Sequence, residues 1–394
     1  MLQAGGAIGK LKGKNEQQKY YQFWLHNLPE IGDRTIAKLL AAFGSEKAVY
    51  EADEKRLGQI IIKEEMRQEI KRFTAGWDLQ GTYESMKRQG ISFLTYQDEA
   101  YPARLRKLKN PPYGLYCLGN LPREEDMAAA IIGARECSEY GRYVAEAFAG
   151  RLARAGVTII SGMARGIDGI AQQAAVDSKG ATFAVLGSGV DVCYPISNKP
   201  LYEEILRTGG GILSVFPPGT EPKKRNFPER NRIVAGMADL LLVVEARQKS
   251  GTWITVDMAL EQGKNVYAVP GRLTDRLSDG CNLLIRQGAG IALSPEDLLQ
   301  EMQVLKNRQG RGKRENAAAF EGLDTEEGER AEEKDLLRFL DFMPRTADEI
   351  LNRMQKEEKE MQLSELLAEL ADLCIEGKVR QAGGCYALVK REGM

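Results

Sequence analysis

The sequence predicts an α/β fold in which a doubly wound, mainly parallel sheet is flanked by a small N-terminal helical domain and a C-terminal winged-helix domain. Two patterns predict the sheet. Short apolar runs recur from residue 128 to residue 269, and they read "AAAII", "VTII", "TFAVL", "ILSVF", "LLLVVEA" and "NVYAV". Amphipathic or alanine-rich segments separate most of them, at 141–155, 167–178, 198–207 and 252–262. Apolar strands that alternate with helices are typical of a parallel sheet covered on both faces.

Composition divides the 394 residues into five predicted segments. Residues 1–17 are rich in Gly, Lys and Gln, so we expect them to be disordered. Residues 18–78 have a helical pattern that "LPEIG" interrupts, and residues 79–302 hold the sheet domain. Residues 303–334, first basic and then acidic, read as a charged linker. Residues 335–394 combine helices with the glycine-containing hairpin "KVRQAGGCYALV", which indicates a winged helix.

Charge and composition exclude several classes of protein. The net charge is −1, so a site for nucleic acid must be a local basic patch. The six cysteines show no C-x-x-C spacing, which is typical of reduced thiols in a cytoplasmic protein. A single histidine, His26, lies in an apolar helix and is interpreted as structural, so zinc catalysis and histidine triads are not expected. The sequence predicts no metal site, no cofactor, no signal peptide and no membrane span.

Glycine or proline follows most of the central strands, as in "IIGAR", "IISGMARGID", "AVLGSGVDVCYP", "SVFPPGTEP" and "YAVPGR". The carboxyl ends of parallel strands share one edge, and ligands bind in the crevice there. Each loop alone could be a tight turn, but five together favour close approach of a phosphate backbone. At this edge Arg135 can fork onto a phosphate. Ser161, Gly162 and Gly166 could form an anion-binding nest, to which Arg165 adds charge. Asp168 is predicted to cap the next helix.

The stretch "PKKRNFPERNR" (222–232) follows the fourth of these runs and therefore reaches the same edge. Its basic residues can neutralise phosphates, and Phe227 offers a face on which an unpaired base can stack. A solvated loop with Phe227 in the core is the alternative. Beside the glycine edge, the pattern favours single-stranded nucleic acid over a compact nucleotide.

Residues from about 80 to 300 resemble the DNA processing protein A (DprA/Smf) family. The motifs that carry the resemblance are "GAR…YG" (133–141), "SGMARGID" (161–168), "AVLGSGVDVCYP" (184–195), "FPERNRIVAG" (227–236), "VVEARQKSGTWIT" (243–255), "YAVPG" (267–271) and "GCNLLIRQGA" (280–289). One position departs from the family pattern, because Gln172 stands where the family usually has histidine. This departure weakens any claim of histidine-based chemistry.

The resemblance implies an extended Rossmann-like fold that binds single-stranded DNA, forms a homodimer and loads the RecA recombinase during natural transformation. It also allows single-strand-binding protein as a partner. The N-terminal module is similar to a helix-hairpin-helix or sterile-alpha-motif-like domain, although a protein-contact role stays open for both flanking domains. The predicted DNA-binding residues are Arg135, Gly162, Arg165, Gly166, Gly187, Ser188, Gly189, Lys223, Lys224, Arg225, Phe227, Arg230, Asn231 and Arg232. The predicted dimer residues are Asn282, Leu283, Leu284 and Ile285.

An enzyme is the alternative interpretation. The sheet also resembles nucleotide-processing enzymes of the lysine-decarboxylase-like group, which carry "PGG-x-GT-x-x-E". Here the comparable place reads "KSGTWITVD" (249–257), which lacks both the Pro-Gly-Gly and the glutamate. Glu245 is predicted to accept hydrogen bonds from loop amides rather than to act as a base. A dinucleotide dehydrogenase is not expected, because no G-x-G-x-x-G follows the first strand. The sequence therefore favours a binding protein without catalytic activity.

Overall fold

The computed structural model describes residues 4–314, 336, 345–356, 361–375, 379–382 and 385–388. The chain divides into two compact units, Met1–Ala318 and Ala319–Met394. The predicted helical domain and sheet domain thus belong to one unit. Within the described ranges, no helix is both long enough and apolar enough to cross a membrane.

The first unit is built on a nine-stranded sheet with the strand order β1-β2-β6-β5-β4-β3-β7-β8-β9. Its strands are β1 (Ile91–Thr95), β2 (Gly114–Gly119), β3 (Ala128–Ile132), β4 (Thr158–Ser161), β5 (Thr182–Val185), β6 (Gly211–Ser214), β7 (Leu240–Val243), β8 (Asn265–Ala268) and β9 (Gly290–Ile291). Strands β3 to β9 pair in parallel, whereas β2 pairs antiparallel with both β1 and β6. The predicted parallel sheet is confirmed; β1, β2 and β9 extend it beyond the apolar runs.

Helices cover both faces of the sheet, as the alternation of patterns predicted. They are α7 (Ala103–Arg106), α8 (Glu139–Arg154), α9 (Ile167–Asp177), α10 (Lys199–Arg207), α11 (Asn226–Met237), α12 (Thr252–Glu261), α13 (Asp279–Arg286) and α14 (Pro295–Arg314). Strand β3 is buried along its whole length. Its side chains alternate between the faces, so that Ala130 packs with α11 and α12 while Ile131 packs with α8 and α9. This double burial explains why β3 is apolar at every position.

Six helices precede the sheet: α1 (Ala4–Asn27), α2 (Asp33–Phe43), α3 (Glu46–Tyr50), α4 (Glu54–Leu57), α5 (Glu64–Ala75) and α6 (Leu79–Arg88). The break between α1 and α2 falls at "LPEIG", as predicted. The expected disorder of residues 1–17 differs from the structure, in which α1 begins at Ala4. Phe23 and Trp24 anchor the other end of α1 in the core. From a packed turn a helix extends at little cost per residue, so the glycine-rich composition did not end it.

The module 18–78 is joined to the sheet by aromatic packing. His26 Nδ1 lies 3.0 Å from the Tyr116 hydroxyl on β2, and Phe23 packs edge-on against Phe93 on β1. His26 is buried and desolvation lowers its pKa to about 4, so it is a neutral structural side chain in this protein at neutral pH. Its predicted structural role agrees with this placement.

The second unit contains α15 (Ala347–Lys356), α16 (Leu363–Ile375), β10 (Arg345–Thr346), β11 (Val379–Ala382) and β12 (Cys385–Leu388). Its three strands are antiparallel, in the order β10-β12-β11. The winged-helix assignment stays a prediction. The first part of the predicted linker at 303–334 is helical, because α14 extends into it and ends at Arg314. Leu298, Met302 and Leu305 pack this helix on the sheet. Residues 315–334 lie outside the described residues.

Candidate functional site

A cleft of about 630 Å³ opens at the carboxyl ends of the parallel strands. Loops after β3, β4, β5 and β7 form its walls together with the start of α11. Among the predicted DNA-binding residues, those that line the cleft are Arg135, Lys224, Phe227, Arg230 and Asn231. The strand-end rule therefore located the cleft, and about a third of the predicted side chains meet in it.

Phe227 occupies the centre of this group. The guanidinium carbons of Arg135 and Arg230 lie 5.5 Å and 5.6 Å from the centroid of its ring. At these distances both cations are attracted to the π-face, which orients them around the aromatic ring. Behind the ring lies Gly187, where an added Cβ would come 3.2 Å from Phe227. The backbone of Gly187 is held to the same segment, because its carbonyl accepts a hydrogen bond from Asn226 Nδ2 at 2.9 Å.

Arg230 is buried beneath Phe227 and only 5% exposed. Its Nη1 lies 3.6 Å from Asp168 Oδ2, and that same carboxylate oxygen accepts a hydrogen bond from the Gly162 amide. Burial raises the pKa of Asp168, and the positive charge of Arg230 opposes that rise. The pair therefore keeps a guanidinium, which does not lose its proton in proteins, at the floor of the cleft.

Two glycines that were predicted to admit a phosphate backbone instead admit parts of this protein. A Cβ on Gly162 would lie 1.0 Å from Arg230 Nη1, so the guanidinium fills the space that a side chain would need. Gly166 has a φ of +71° and lies against the loop after β3, where a Cβ would come 2.2 Å from the Ala134 carbonyl oxygen. This contact sets the position of Arg135. Asp168 is not the predicted cap, because Gly166 precedes α9 and no side chain caps it.

The loop 187–189 is buried and bonded internally, and it does not line the cleft. The Ser188 hydroxyl donates to the Val192 carbonyl at 2.8 Å, and the Gly189 amide donates to the Thr220 carbonyl at the same distance. These contacts stabilise the end of β5, and contact of this loop with DNA stays a prediction that the cleft lining does not include. Arg165 is exposed but also lies outside the lining.

The remaining predicted cations of the stretch 222–232 lie outside the cleft. Arg225 Nη2 lies 3.3 Å from Glu30 Oε1, in the turn between α1 and α2. Arg232 is 3.7 Å from Asp33, pairs with Glu229 and donates to the Asn110 carbonyl at 2.5 Å. Lys223 is exposed and does not line the cleft. Acids of the helical module therefore take two cations that the sequence assigned to DNA.

Comparison with known proteins identifies the family. The family model described as DNA recombination-mediator protein A matches residues 92–303. The chain belongs to this family.

Individual relatives agree with that assignment. The chain is 40% identical over 219 residues to the DNA processing protein DprA of Streptococcus pneumoniae, across 56% of this chain and 77% of the relative. It is also 40% identical over 205 residues to Protein Smf of Escherichia coli, across 52% of this chain and 55% of that protein. The resemblance inferred from the motifs is thus confirmed.

Two solved structures of family members are similar to this chain. The X-ray structure of DNA processing protein A from Streptococcus pneumoniae matches with a TM-score of 0.62 at 33% identity, over 72% of this chain and 97% of that chain. A Helicobacter pylori family member, described for its single-stranded DNA binding mode, matches with a TM-score of 0.49 at 31% identity, over 55% of this chain and 96% of that chain. The first match supports the Rossmann-like α/β fold.

Several lining residues of this family member were missed by sequence reasoning. Tyr194 is 46% exposed in the cleft, with its ring centroid 6.0 Å from that of Phe227. Arg247 and the segment 250–252 also line the cleft, between β7 and the start of α12. The signal for them was present, because "CYP" and "ARQKSGT" also follow strands. The prediction had used the second segment as a motif of the family resemblance and compared it with a catalytic signature, but had not assigned it to the binding site.

Glu245 has the structural role that was predicted for it. Its side chain is fully buried at the end of β7 and accepts hydrogen bonds from the amide, at 2.9 Å, and from the hydroxyl of Ser138. Ser138 in turn caps α8, where the Gly141 amide donates to its hydroxyl oxygen at 3.1 Å. Glu245 therefore fixes the loop that carries Arg135.

Part of the predicted dimer segment packs into the core of this chain. Leu284 is 4% exposed and packs under the sheet. Asn282 exchanges two hydrogen bonds with the Gly271 backbone, at 3.2 Å and 3.1 Å. These two residues are therefore held within this chain, because α13 turns its apolar side toward β8. Leu283 and Ile285 are half-buried, and a dimer through this segment stays a prediction.

Proposed function

We propose that this protein binds single-stranded DNA in the cleft formed by Arg135, Lys224 and Phe227. The observation that carries the proposal is a partly exposed aromatic ring with a guanidinium on its face, placed beside exposed cations at a strand-end cleft. Single strands are bound by cations that follow the backbone and by rings on which bases stack. A duplex offers no free base faces and would gain nothing from Phe227.

The cleft supports binding with little sequence preference. Arg135 and Lys224 supply charge to phosphates, a term that weakens as salt increases and does not distinguish sequences. Stacking on Phe227 is worth roughly 1–3 kcal/mol per base and tolerates every base, because every base has a π-face. Asn231 is the neutral polar side chain beside the ring. It can hydrogen-bond a base or sugar without enforcing a sequence.

Membership of a recombination-mediator family supports a role for this binding in DNA recombination. In this proposal the protein covers incoming single strands during natural transformation and helps to load a RecA-type recombinase onto them. It acts in the cytoplasm as a homodimer, and a single-strand-binding protein is a further partner. The motif-level resemblance and family membership support these roles.

The proposed function includes no catalysis. The acid at the floor of the cleft, Asp168, faces Arg230, and the nearby Glu245 is occupied by Ser138. A general base needs a carboxylate that can reach a substrate proton. Asp168 and Glu245 are both held by neighbouring groups, whereas the exposed Glu136 also lines the cleft. These contacts favour binding over the nucleotide-processing alternative.

The test compares two adjacent lysines, Lys224 in the cleft and Lys223 outside it. A fluorescent, mixed-sequence single strand is titrated with wild type, Lys224→Ala/Phe227→Ala and Lys223→Ala across a salt series. We expect the double variant to lose most binding, by at least about tenfold. Lys223→Ala should change affinity only slightly. Equal binding by all three proteins would remove the cleft from the proposal. An absence of wild-type binding would revive the enzyme alternative, to be tested with nucleoside monophosphates.

A further inference from the structure

The floor of the cleft and the wall beside Ser250 contain two buried polar groups that have no hydrogen-bond partner among the described residues. They are Arg230 Nε and Ser250 Oγ, neither of which has a partner among the described residues. Both residues line the cleft. A buried donor that is left unpaired costs free energy, so native proteins rarely leave one unless another group or a ligand can use it.

The same wall contains the first turn of α12. Gly251 precedes the helix, no side chain caps it, and its first turn has no acidic residue. The free amides and the dipole at the start of a helix favour a negative charge. Thr252 and Thr255 add hydroxyl groups to the same part of the lining.

Charge in this region is predominantly positive. Arg247 is exposed, and in the described part of the chain no carboxylate lies within ion-pair distance of it. Arg135, Lys224, Arg230 and Arg247 line the cleft, against the two acids Glu136 and Asp168. Asp168 contacts one nitrogen of Arg230 at 3.6 Å, which leaves other guanidinium donors without a carboxylate.

We propose that Arg230, Arg247 and the segment 250–252 form a second phosphate position, separate from the one at Arg135 and Lys224. The inference rests on the proposed function for its ligand, and it adds where a second phosphate of the bound strand lies. Rotation of Ser250 about χ1 presents its hydroxyl to that phosphate, and Arg247 closes over it from the solvent side. The strand then spans the cleft, with Phe227 between its two phosphate positions.

The chemistry of this position is that of a phosphate group, and three sources can supply one. A phosphodiester within a strand, the terminal phosphate of a strand and a free nucleoside monophosphate all present anionic oxygens. A strand that passes through the cleft places an internal phosphodiester there. A strand that ends in the cleft places its terminal phosphate there, and binding then depends on phosphorylation of the end.

Ser250→Ala in the full chain is the decisive variant. Because the Ser250 hydroxyl has no partner among the residues that the structure describes, its removal should leave the thermal unfolding midpoint unchanged or raise it. The same change should weaken binding of a fluorescent single strand by about tenfold, since a hydrogen bond to a charged phosphate is lost. A purely structural serine would give the opposite result, with a lower midpoint and unchanged affinity.

A matched pair of cation variants tests the position independently. Arg247→Gln removes a lining cation, whereas Lys249→Gln removes an exposed cation two residues away that does not line the cleft. We expect Arg247→Gln to weaken binding and to lower the slope of log affinity against log salt by about one unit, and Lys249→Gln to do neither. Equal behaviour of the two variants would overturn the proposal.

Probes with different phosphates separate the sources. Strands with a 5′-phosphate, a 3′-phosphate or two hydroxyl ends are compared, and thymidine 5′-monophosphate competes against thymidine. Wild type that binds strands while Ser250→Ala and Arg247→Gln bind equally well would overturn the second position and leave the proposed function intact. Wild type that binds no strand would overturn the proposed function. The second position would then stand only if thymidine 5′-monophosphate binds and Ser250→Ala weakens it.

Discussion

Two faces of helix α11 use the same residue types for different purposes. Phe227, Arg230, Asn231 and Val234 lie at helical spacing and line the cleft. Arg232 lies on the other face, next to Glu229, and meets Asp33 of the helical module. The 3.6-residue period of the helix therefore divides one basic stretch into a ligand face and a docking face. Clustered charge in a sequence does not show which cations are available to a ligand.

Arg230 gives the largest expected effect, because it belongs to the ligand face and also to the core. Arg230→Ala leaves Asp168 buried without its cation, so the free energy of unfolding should fall by roughly 3–5 kcal/mol. Urea unfolding followed by tryptophan fluorescence measures this loss. All three tryptophans, at 24, 77 and 253, lie in the first unit.

A double variant gives the control for Arg230. Arg230→Met/Asp168→Asn removes both charges and should recover most of the lost stability, because neither charge is then left unpaired. DNA binding should stay impaired in this double variant. A single Arg230→Ala protein as stable as wild type would show that the buried pair is not needed for the fold.

The docking face depends on the helical module, whose attachment is sensitive to pH through His26. Its pKa is lowered to about 4 in the folded protein, against an ordinary value of about 6.5. Between these values the unfolded chain binds the extra proton, so stability falls as pH decreases from about 6.5 to about 4. The expected contribution is about 3 kcal/mol over that window, and it is fully lost only near the lower value.

His26→Gln isolates this contribution, because glutamine does not titrate and His26 is the single histidine of the chain. The variant should be less stable at pH 7, where it loses the contact with Tyr116. Its unfolding free energy should nevertheless change less between pH 7 and pH 4 than that of wild type. Parallel pH profiles for the two proteins would contradict the lowered pKa.

Arg232→Gln should affect stability without affecting the ligand. Its partners Asp33 and Glu229 are partly exposed, so the expected loss is about 1 kcal/mol. Affinity for a single strand should stay within about twofold of wild type, since the side chain does not line the cleft. A marked loss of affinity with unchanged stability would instead assign Arg232 to the ligand face.

The smallest expected effect belongs to Glu30, which holds Arg225 in an exposed ion pair. Glu30→Gln frees that cation near the cleft and should raise single-strand affinity by less than about threefold at low salt. The gain should vanish as salt screens the charge. Asp53→Asn, on an exposed helix cap of the same module, serves as a charge-matched control and should give no gain.

The sequence was sufficient for the sheet and for the location of the cleft, but not for the contents of its floor. Periodicity is local, so the strands and the helices that alternate with them could be predicted from neighbouring residues. The acids that hold Arg225 and Arg232 come from residues 30 and 33, nearly two hundred positions earlier. No local pattern reports such pairs. Lys224 and Phe227, which were predicted at this edge, do line the cleft, because the segment after β6 leads to its rim and into α11.

The glycine patterns correctly predicted close approach of another group at the strand ends, but at Gly162 that group is a side chain of this protein. Gly162 was expected to make room for DNA, and the structure fills that room with Arg230. A missing side chain indicates that something approaches closely, but the identity of that group depends on tertiary contacts. Arg247 and Tyr194 were missed for a different reason, since neither lies in a dense basic and aromatic run such as 222–232.

The space at Gly162 also limits how this protein can vary. The Arg230 guanidinium fills the volume that a side chain at 162 would need. Gly162→Ala therefore requires a shorter residue at 230. Gly162→Ala alone crowds the guanidinium and a shortened residue 230 alone leaves a void, whereas the pair restores the volume but leaves Asp168 without its cation. In a Gly162→Ala/Asp168→Asn parent, shortening residue 230 should therefore raise the thermal unfolding midpoint more than shortening an exposed residue does. The side-chain volumes at 162 and 230 would then be coupled, although the two residues are far apart in the sequence.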